Sequence, residues 1–84
     1  MKIIKFYSDG KRHLVCLPYS VDNLHIMADS LRIKKCWFHK NPYPHYDIPI
    51  RRIEEIEKLC IIVSPKDIVR ICKGEYNENS DLKE

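Results

Sequence analysis

The residues best suited to chemistry lie in one stretch, Trp37-Phe38-His39-Lys40-Asn41-Pro42-Tyr43-Pro44-His45-Tyr46-Asp47-Ile48-Pro49. Its histidines, tyrosines and aspartate can bind a ligand or transfer protons. Proline has no backbone N–H and disfavours helix in the residue before it, so this stretch is expected to run extended or turned. Loops that carry such side chains are frequent functional sites, and we place the candidate site here.

Within this stretch, His45 and Asp47 form the strongest candidate pair. In an extended segment, side chains two residues apart point to the same side. A carboxylate that accepts from one imidazole nitrogen fixes the tautomer and leaves the other nitrogen for a ligand or a proton. The alternative is that Asp47 only caps the helix that follows.

The other candidates are aromatic or cationic. Tyr43, between two prolines and near Lys40, is expected to be exposed and suits stacking on a base or on a partner. His39 either takes part in the site or only ends a strand. Trp37 and Tyr46 are either stacking platforms or core residues.

Two arginines and a helical histidine complete the set. Arg51 and Arg52 either reach a phosphate from the start of a helix or are solvated surface residues. His25 is either a ligand-contacting residue or a surface histidine paired with a helix carboxylate. The candidate catalytic residues are therefore His45, Asp47 and His25.

A metal site is an alternative use of His25, His39, His45 and Asp47, which are suitable ligands for zinc, manganese or iron. No pair among them has the i, i+4 spacing of a helical metal motif. We therefore assign no metal ligand and no cofactor from the sequence.

The surrounding pattern predicts the elements that position these residues. Apolar runs at 2–7 and 13–19 predict two strands joined by a turn at Ser8-Asp9-Gly10. Capping serines predict helices after Ser20 and from Ser64 to Gly74, and an apolar period predicts another helix near 50–59. The segments 34–38 and 60–63 are expected to be strands, the second of them central in the sheet.

This order predicts an α/β fold in three layers, with a short, mainly parallel sheet in the order β-β-α-β-α-β-α and an antiparallel edge strand as an option. Residues 1–74 are expected to form one domain, and residues 75–84 an acidic, disordered tail.

In parallel sheets the carboxyl ends of the strands and the helix N-termini meet at one edge. The segments 18–20, 39–47 and 64–65 should therefore gather there.

Composition restricts the class of protein. The net charge is +3, but residues 1–74 carry fourteen Lys and Arg against eight Asp and Glu. Such a basic body attracts phosphates, nucleic acid or an acidic protein.

We see no apolar run near 18 residues and no secretory leader, and we expect a cytoplasmic protein without a membrane partner. A core this small favours a homo-oligomer.

The four cysteines indicate a reducing compartment. Cys16, Cys36, Cys60 and Cys72 lie in apolar segments and include no Cys-x-x-Cys pair. We expect four buried free thiols rather than a zinc or disulfide framework.

The chain resembles an uncharacterised domain family of small bacterial and phage proteins. The residues that carry the resemblance are Leu24-His25-x-x-Ala28, Trp37-Phe38-His39 and His45-Tyr46-Asp47-Ile48-Pro49 before an arginine-bearing helix. The resemblance implies a shared fold and a shared polar site that contains His25, Trp37, His45, Tyr46, Asp47 and one of Arg51 and Arg52. It implies no reaction, because the family has no assigned activity.

This sequence also departs from the family pattern. A His and an Asp that the family places before the first helix are replaced here by Val15 and Tyr19, with His13 two residues out of register. Two family glycines are replaced by Arg32 and Cys60. If the missing His and Asp are catalytic in relatives, the resemblance implies binding without turnover here.

Three functions remain open at the level of the sequence. The first is binding, including sequestration, of a phosphorylated, nucleotide-like small molecule in a bacterial or phage-infected cell. The second is phosphoester hydrolysis or transfer with His45 and Asp47 as general acid and base. The third is a nucleic-acid or protein adaptor that uses Lys34, Lys35, Lys40, Arg51 and Arg52.

Overall fold

A computed structural model describes residues 3–77. Five strands and three helices follow one another along this part of the chain. The strands are β1 (Lys5–Ser8), β2 (His13–Leu17), β3 (Phe38–His39), β4 (His45–Asp47) and β5 (Ile61–Ile62). The helices are α1 (Val21–Leu31), α2 (Ile53–Glu57) and α3 (Pro65–Lys73), with 3₁₀ turns at Lys35–Trp37 and Ile50–Arg52.

The strands form one mixed sheet in the order β3-β4-β2-β1-β5. The α/β class is confirmed. The sheet is not mainly parallel, however, because only β1 and β5 pair in parallel among the described strands. The reason is local: the proline-rich segment folds back on itself and joins β3 to β4 as a hairpin, and a short hairpin can only join antiparallel strands.

The apolar run at 60–63 forms an edge strand instead of a central one. Ile61 and Ile62 of β5 pair only with β1 among the described strands. Their side chains are 42% and 52% exposed. A short apolar run has the same appearance in a central strand and at an edge, so the sequence could not separate the two.

The helix ends agree with the sequence. Ser20 accepts a hydrogen bond from the Asn23 N–H (3.0 Å), and Ser64 accepts one from the Asp67 N–H (3.2 Å). α3 ends at Gly74, whose φ of 75° is a left-handed conformation that glycine adopts without strain. Within residues 3–77, no helix has both the length and the apolar character that crossing a membrane requires.

The predicted helix at 50–59 is shorter than expected. A 3₁₀ turn occupies its first three residues, and α2 covers only Ile53–Glu57. α2 ends at Glu57, before Leu59, and the expected apolar stripe is only partly buried. Ile56 is buried, whereas Ile50 and Leu59 are 69% and 60% exposed. Similarly, the strand expected at 34–38 is reduced to Phe38–His39 by the preceding 3₁₀ turn.

The core lies on both faces of the sheet. α1 packs on β2 and β4, and α3 packs on β2 from the other side. The buried apolar residues are Tyr7, Leu14, Val15, Cys16, Leu24, Met27, Ala28, Leu31, Ile33, Tyr46, Ile48, Ile56, Ile68 and Ile71. The three layers thus hold the sheet between two helices.

The tail predicted from residue 75 onward is described only as far as residue 77. Here Tyr76 is half-buried, and its ring lies edge-on to that of Tyr7, with 5.6 Å between centroids. The rest of the predicted tail lies outside the described residues.

The cysteines differ in exposure. Cys16 is buried and Cys60 and Cys72 are half-buried, but Cys36 is exposed on the 3₁₀ turn, contrary to the prediction of four buried thiols. Burial raises the pKa of Cys16 and of Cys60 to about 11.

We predict that a maleimide at neutral pH modifies Cys36 well before Cys16, because the nucleophile is an accessible thiolate. Mass spectrometry of the modified protein over time measures the order. Cys36→Ser should remove the fast phase, and Cys16→Ser should retain it. Fast modification of Cys16 in the folded protein would contradict the packing described here.

Candidate functional site

Strand β4 lies between β2 and β3 and determines which side chains meet. Because side chains alternate along a strand, His45 and Asp47 lie on one face of the sheet and Tyr46 lies on the other. Asp47 is paired with His13 of β2, and His45 is paired with His39 of β3. Cross-strand partners share a face, so four polar side chains gather on one surface. We call it the histidine face: His13, His39, His45 and Asp47.

The rings of the histidine face contact one another and the carboxylate. His39 and His45 stack at 5.5 Å between centroids, and His13 lies edge-on to His45 at the same distance. His39 Nε2 is 3.1 Å from one carboxylate oxygen of Asp47, and His45 Nε2 is 3.4 Å from the other. Asp47 thus lies between two imidazoles.

The hydrogen bonding of His45 differs from the arrangement expected from the sequence. Its Nδ1 lies 2.6 Å from the Tyr43 carbonyl oxygen. Since a carbonyl only accepts, Nδ1 carries the proton and the neutral ring has a lone pair at Nε2. Nε2, which carries that lone pair, lies 3.4 Å from an Asp47 carboxylate oxygen. A proton on Nε2, or a cation between the two atoms, would make this contact attractive.

His13 is oriented by a buried carboxylate, Asp9. The Asp9 side chain is 1% exposed and accepts from His13 Nδ1–H at 2.7 Å. It also accepts from the backbone N–H groups of Lys11 (2.9 Å) and His13 (3.3 Å). Burial alone would raise the pKa of Asp9, but these hydrogen bonds outweigh it and hold the pKa below its usual value. An ionised Asp9 therefore keeps the proton of His13 on Nδ1.

Sequence reasoning did not include Asp9 or His13 in the site. The sequence indicates Asp9 only as a turn residue, and His13 as part of a strand and as a histidine two residues out of the family register. The available signal was the tight turn: Gly10 adopts φ 75°, which lets the chain reverse and brings residue 13 back to Asp9. The pairing of β2 with β4, which brings His13 to Asp47, has no local signature.

A cavity of about 200 Å³ lies between the histidine face and α3. His13 and His45 line it on one side. Its other lining residues are Asp9, Pro42, Tyr43, Pro65, Ile68, Val69 and Cys72. Tyr43 was expected to be exposed and is instead half-buried at this cavity. Pro65 shows that the start of α3 reaches the cavity, whereas none of the residues 18–20, which were expected at the same edge, lines it.

Two predicted site residues lie on the opposite face. His25 Nδ1 is 2.7 Å from the Tyr46 hydroxyl, and its ring lies 4.8 Å from that of Phe38. Tyr46 has no exposed surface. The sheet therefore separates His25 from His45 and Asp47, and the expected meeting of these three at one rim does not occur.

Three further candidates lie outside the cavity lining. Trp37 is half-buried, and its ring centroid is 5.9 Å from the guanidinium carbon of Arg12. Arg52 donates to the Arg32 carbonyl (2.9 Å) and to both Glu55 carboxylate oxygens (3.2 and 2.8 Å). Arg51 is exposed in the 3₁₀ turn.

Comparison with known proteins returned no match: no family model fits the chain, and no curated protein or solved structure is significantly similar to it. The family suggested by the sequence motifs stays a prediction.

We predict that Asp9→Asn lowers the free energy of unfolding by about 1.5–3 kcal/mol, the range for hydrogen bonds to a charged group. The amide replaces a carboxylate oxygen and leaves at least one of three N–H donors poorly matched. Urea denaturation measures the change. Asp29→Asn, on the exposed surface of α1, should change stability by less than about 0.5 kcal/mol. Equal values for the two variants would contradict the role of Asp9.

Proposed function

We propose that this protein binds a small phosphorylated, nucleotide-like molecule in the cavity between the histidine face and α3. The observation that carries the proposal is the combination of imidazoles on one side of that cavity with an apolar wall on the other. A phosphate is compatible with the first side and a ring or sugar with the second.

Charge supports an anionic ligand. The excess of basic residues over acidic residues through residue 74 attracts anions to the body of the protein. Pro65, the first residue of α3, lines the cavity, and the N-terminal end of a helix carries a partial positive charge. His13 and His45 add imidazole groups that can donate to a phosphate when they are protonated.

The apolar wall supports a ligand with a ring. Ile68 and Val69 of α3 face the cavity together with the ring of Tyr43. Such surfaces pack against a base or a sugar, and an aromatic ring can stack on a base. The volume of about 200 Å³ is below the ~300–1,000 Å³ of drug-sized sites. The ligand is therefore small, with one ring and one phosphate rather than a dinucleotide.

Hydrolysis or transfer of a phosphoester is the second candidate. The tautomer of His45 favours it, since the Tyr43 carbonyl holds the proton on Nδ1 and an imidazole nitrogen with a lone pair can act as a general base. Binding and turnover differ only in the fate of the ligand, so one experiment separates them.

We expect a phosphorylated ligand to raise the melting temperature more than its unphosphorylated counterpart. The matched pairs are adenosine 5′-monophosphate with adenosine and ribose 5-phosphate with ribose, with inorganic phosphate as a further probe. After incubation, the protein is denatured and the small molecule is weighed by mass spectrometry. An intact ligand supports binding, and a changed mass supports the enzyme. Equal shifts within each pair would contradict recognition of phosphate.

A pair of variants at one position tests the site itself. Val69 is 39% exposed and lines the cavity, so it tolerates a polar replacement. Val69→Glu should weaken nucleotide binding by about tenfold through repulsion of the phosphate, a change of about 1.4 kcal/mol. Val69→Lys should retain or strengthen binding. Equal affinities for the two variants would place the phosphate elsewhere.

The adaptor hypothesis gives a different result in the same preparation. Retention of DNA or RNA with a steep salt dependence, and no response to mononucleotides, would favour it and contradict the small-molecule proposal.

A further inference from the structure

We infer that His13, His45 and Asp47 form a binding site for a divalent transition-metal ion. The sequence alternative for such a site used His25, which lies on the other face of the sheet. His13 replaces it, because the pairing of β2 with β4 brings it beside Asp47.

The separations suit a single ion. One potential ligand atom from each of the three residues lies within 4.8 Å of the other two. Donors bound tetrahedrally to one ion at about 2.0–2.2 Å lie about 3.3–3.6 Å apart. His45 Nε2 and one Asp47 oxygen already lie 3.4 Å apart, so closing the site requires the His13 ring to approach them by up to about 1.5 Å. The His13 side chain is 52% exposed and has room to rotate.

Both histidines are held in the tautomer that a metal ligand requires. His13 donates its Nδ1–H to the Asp9 carboxylate, and His45 donates its own to the Tyr43 carbonyl. Each ring therefore keeps the lone pair on Nε2. Metal-binding histidines characteristically donate their other ring N–H to a carboxylate or a backbone carbonyl, and this site has one of each.

The carboxylate is oriented in the same way. His39 Nε2 lies 3.1 Å from one oxygen of Asp47 and can donate to it, which leaves the other oxygen 3.4 Å from His45 Nε2. Unless Nε2 carries a proton, that oxygen and the His45 lone pair repel each other. A metal ion shared by the two turns this repulsion into two bonds.

The donor set indicates the class of ion. Two imidazole nitrogens and one carboxylate oxygen suit zinc, manganese or iron(II) better than calcium or magnesium, which prefer oxygen ligands. Three protein ligands leave coordination positions for water or a ligand oxygen, as in catalytic rather than structural sites. Cys72 lines the same cavity, but it is not among the three residues whose ligand atoms lie within 4.8 Å of one another.

Binding of the ion stands independently of the phosphate proposal. One further step rests on the proposed function: with an ion bound to Nε2 of His13 and of His45, the ion rather than these imidazoles would contact a phosphate oxygen, and it would neutralise Asp47, which otherwise repels an anion.

The test uses the full chain after removal of metal with a chelator, titrated with Zn²⁺ and with Co²⁺ and with no phosphate present. Native mass spectrometry should show one ion per chain. His45→Ala and Asp47→Asn should each weaken binding at least about tenfold. Asp9→Asn should weaken it by about 10–100-fold, the effect of losing a group that orients a ligand. His25→Ala, on the opposite face, should leave the affinity unchanged.

Two further readouts separate ligation from a loss of fold. Circular dichroism of the metal-free variants checks their structure. In protein with ¹⁵N-labelled histidine, Zn²⁺ should shift the Nε2 resonances of two histidines. His13→Ala should lack one of these two signals, and His45→Ala should lack the other.

The inference is overturned if no stoichiometric ion binds, if folded His45→Ala and Asp47→Asn variants bind as tightly as the wild type, or if His25→Ala abolishes binding. A stoichiometric ion combined with no response to any phosphorylated ligand would remove the proposed function and leave the metal site intact. Equal nucleotide affinity with and without the ion would contradict only the step in which the ion contacts the phosphate, and would leave both binding sites standing.

Discussion

The position of β4 between β2 and β3 is the constraint on which the candidate site depends. Because side chains alternate along a strand, this antiparallel register decides which residues share a face. It places His13 opposite Asp47 and His39 opposite His45. A slip of one residue would turn these side chains to the other face and bring Tyr46 out of the core. The burial of Tyr46 under α1 therefore fixes the position of the polar cluster on the other side.

The polar cluster is maintained by acceptors that come from the chain itself. Asp9 lies in the β1–β2 turn, where two backbone N–H groups and His13 satisfy it. The Tyr43 carbonyl belongs to the loop that closes the β3–β4 hairpin. Two turns thus orient two imidazoles, and strand pairing brings the rings together. Groups whose orientation is fixed in this way need little reorganisation to bind a ligand, which is the property expected of a site rather than of a solvated surface.

The same arrangement divides the motif His45-Tyr46-Asp47 between two roles. Its central residue packs in the core and contacts His25, while its outer residues contribute to the cluster beside the cavity. A motif whose side chains alternate in this way can contribute to the core and to a polar site at once. The proline-rich loop similarly combines two tasks, since it closes the hairpin and supplies Pro42 and Tyr43 to the cavity.

Local features of the sequence determined the α/β class, the start of α1 and α3 at Ser20 and Ser64, the end of α3 at Gly74 and the common side of His45 and Asp47. Each depends on residues within a few positions, where capping, left-handed conformations and strand alternation act. Only the tertiary structure decided the mixed sheet, the edge position of β5, the separation of His25 from His45 and the entry of Asp9 and His13 into the site. These features depend on which strands pair and in what register. Contacts between distant segments decide the pairing, because such contacts bury apolar surface that no single segment can bury alone.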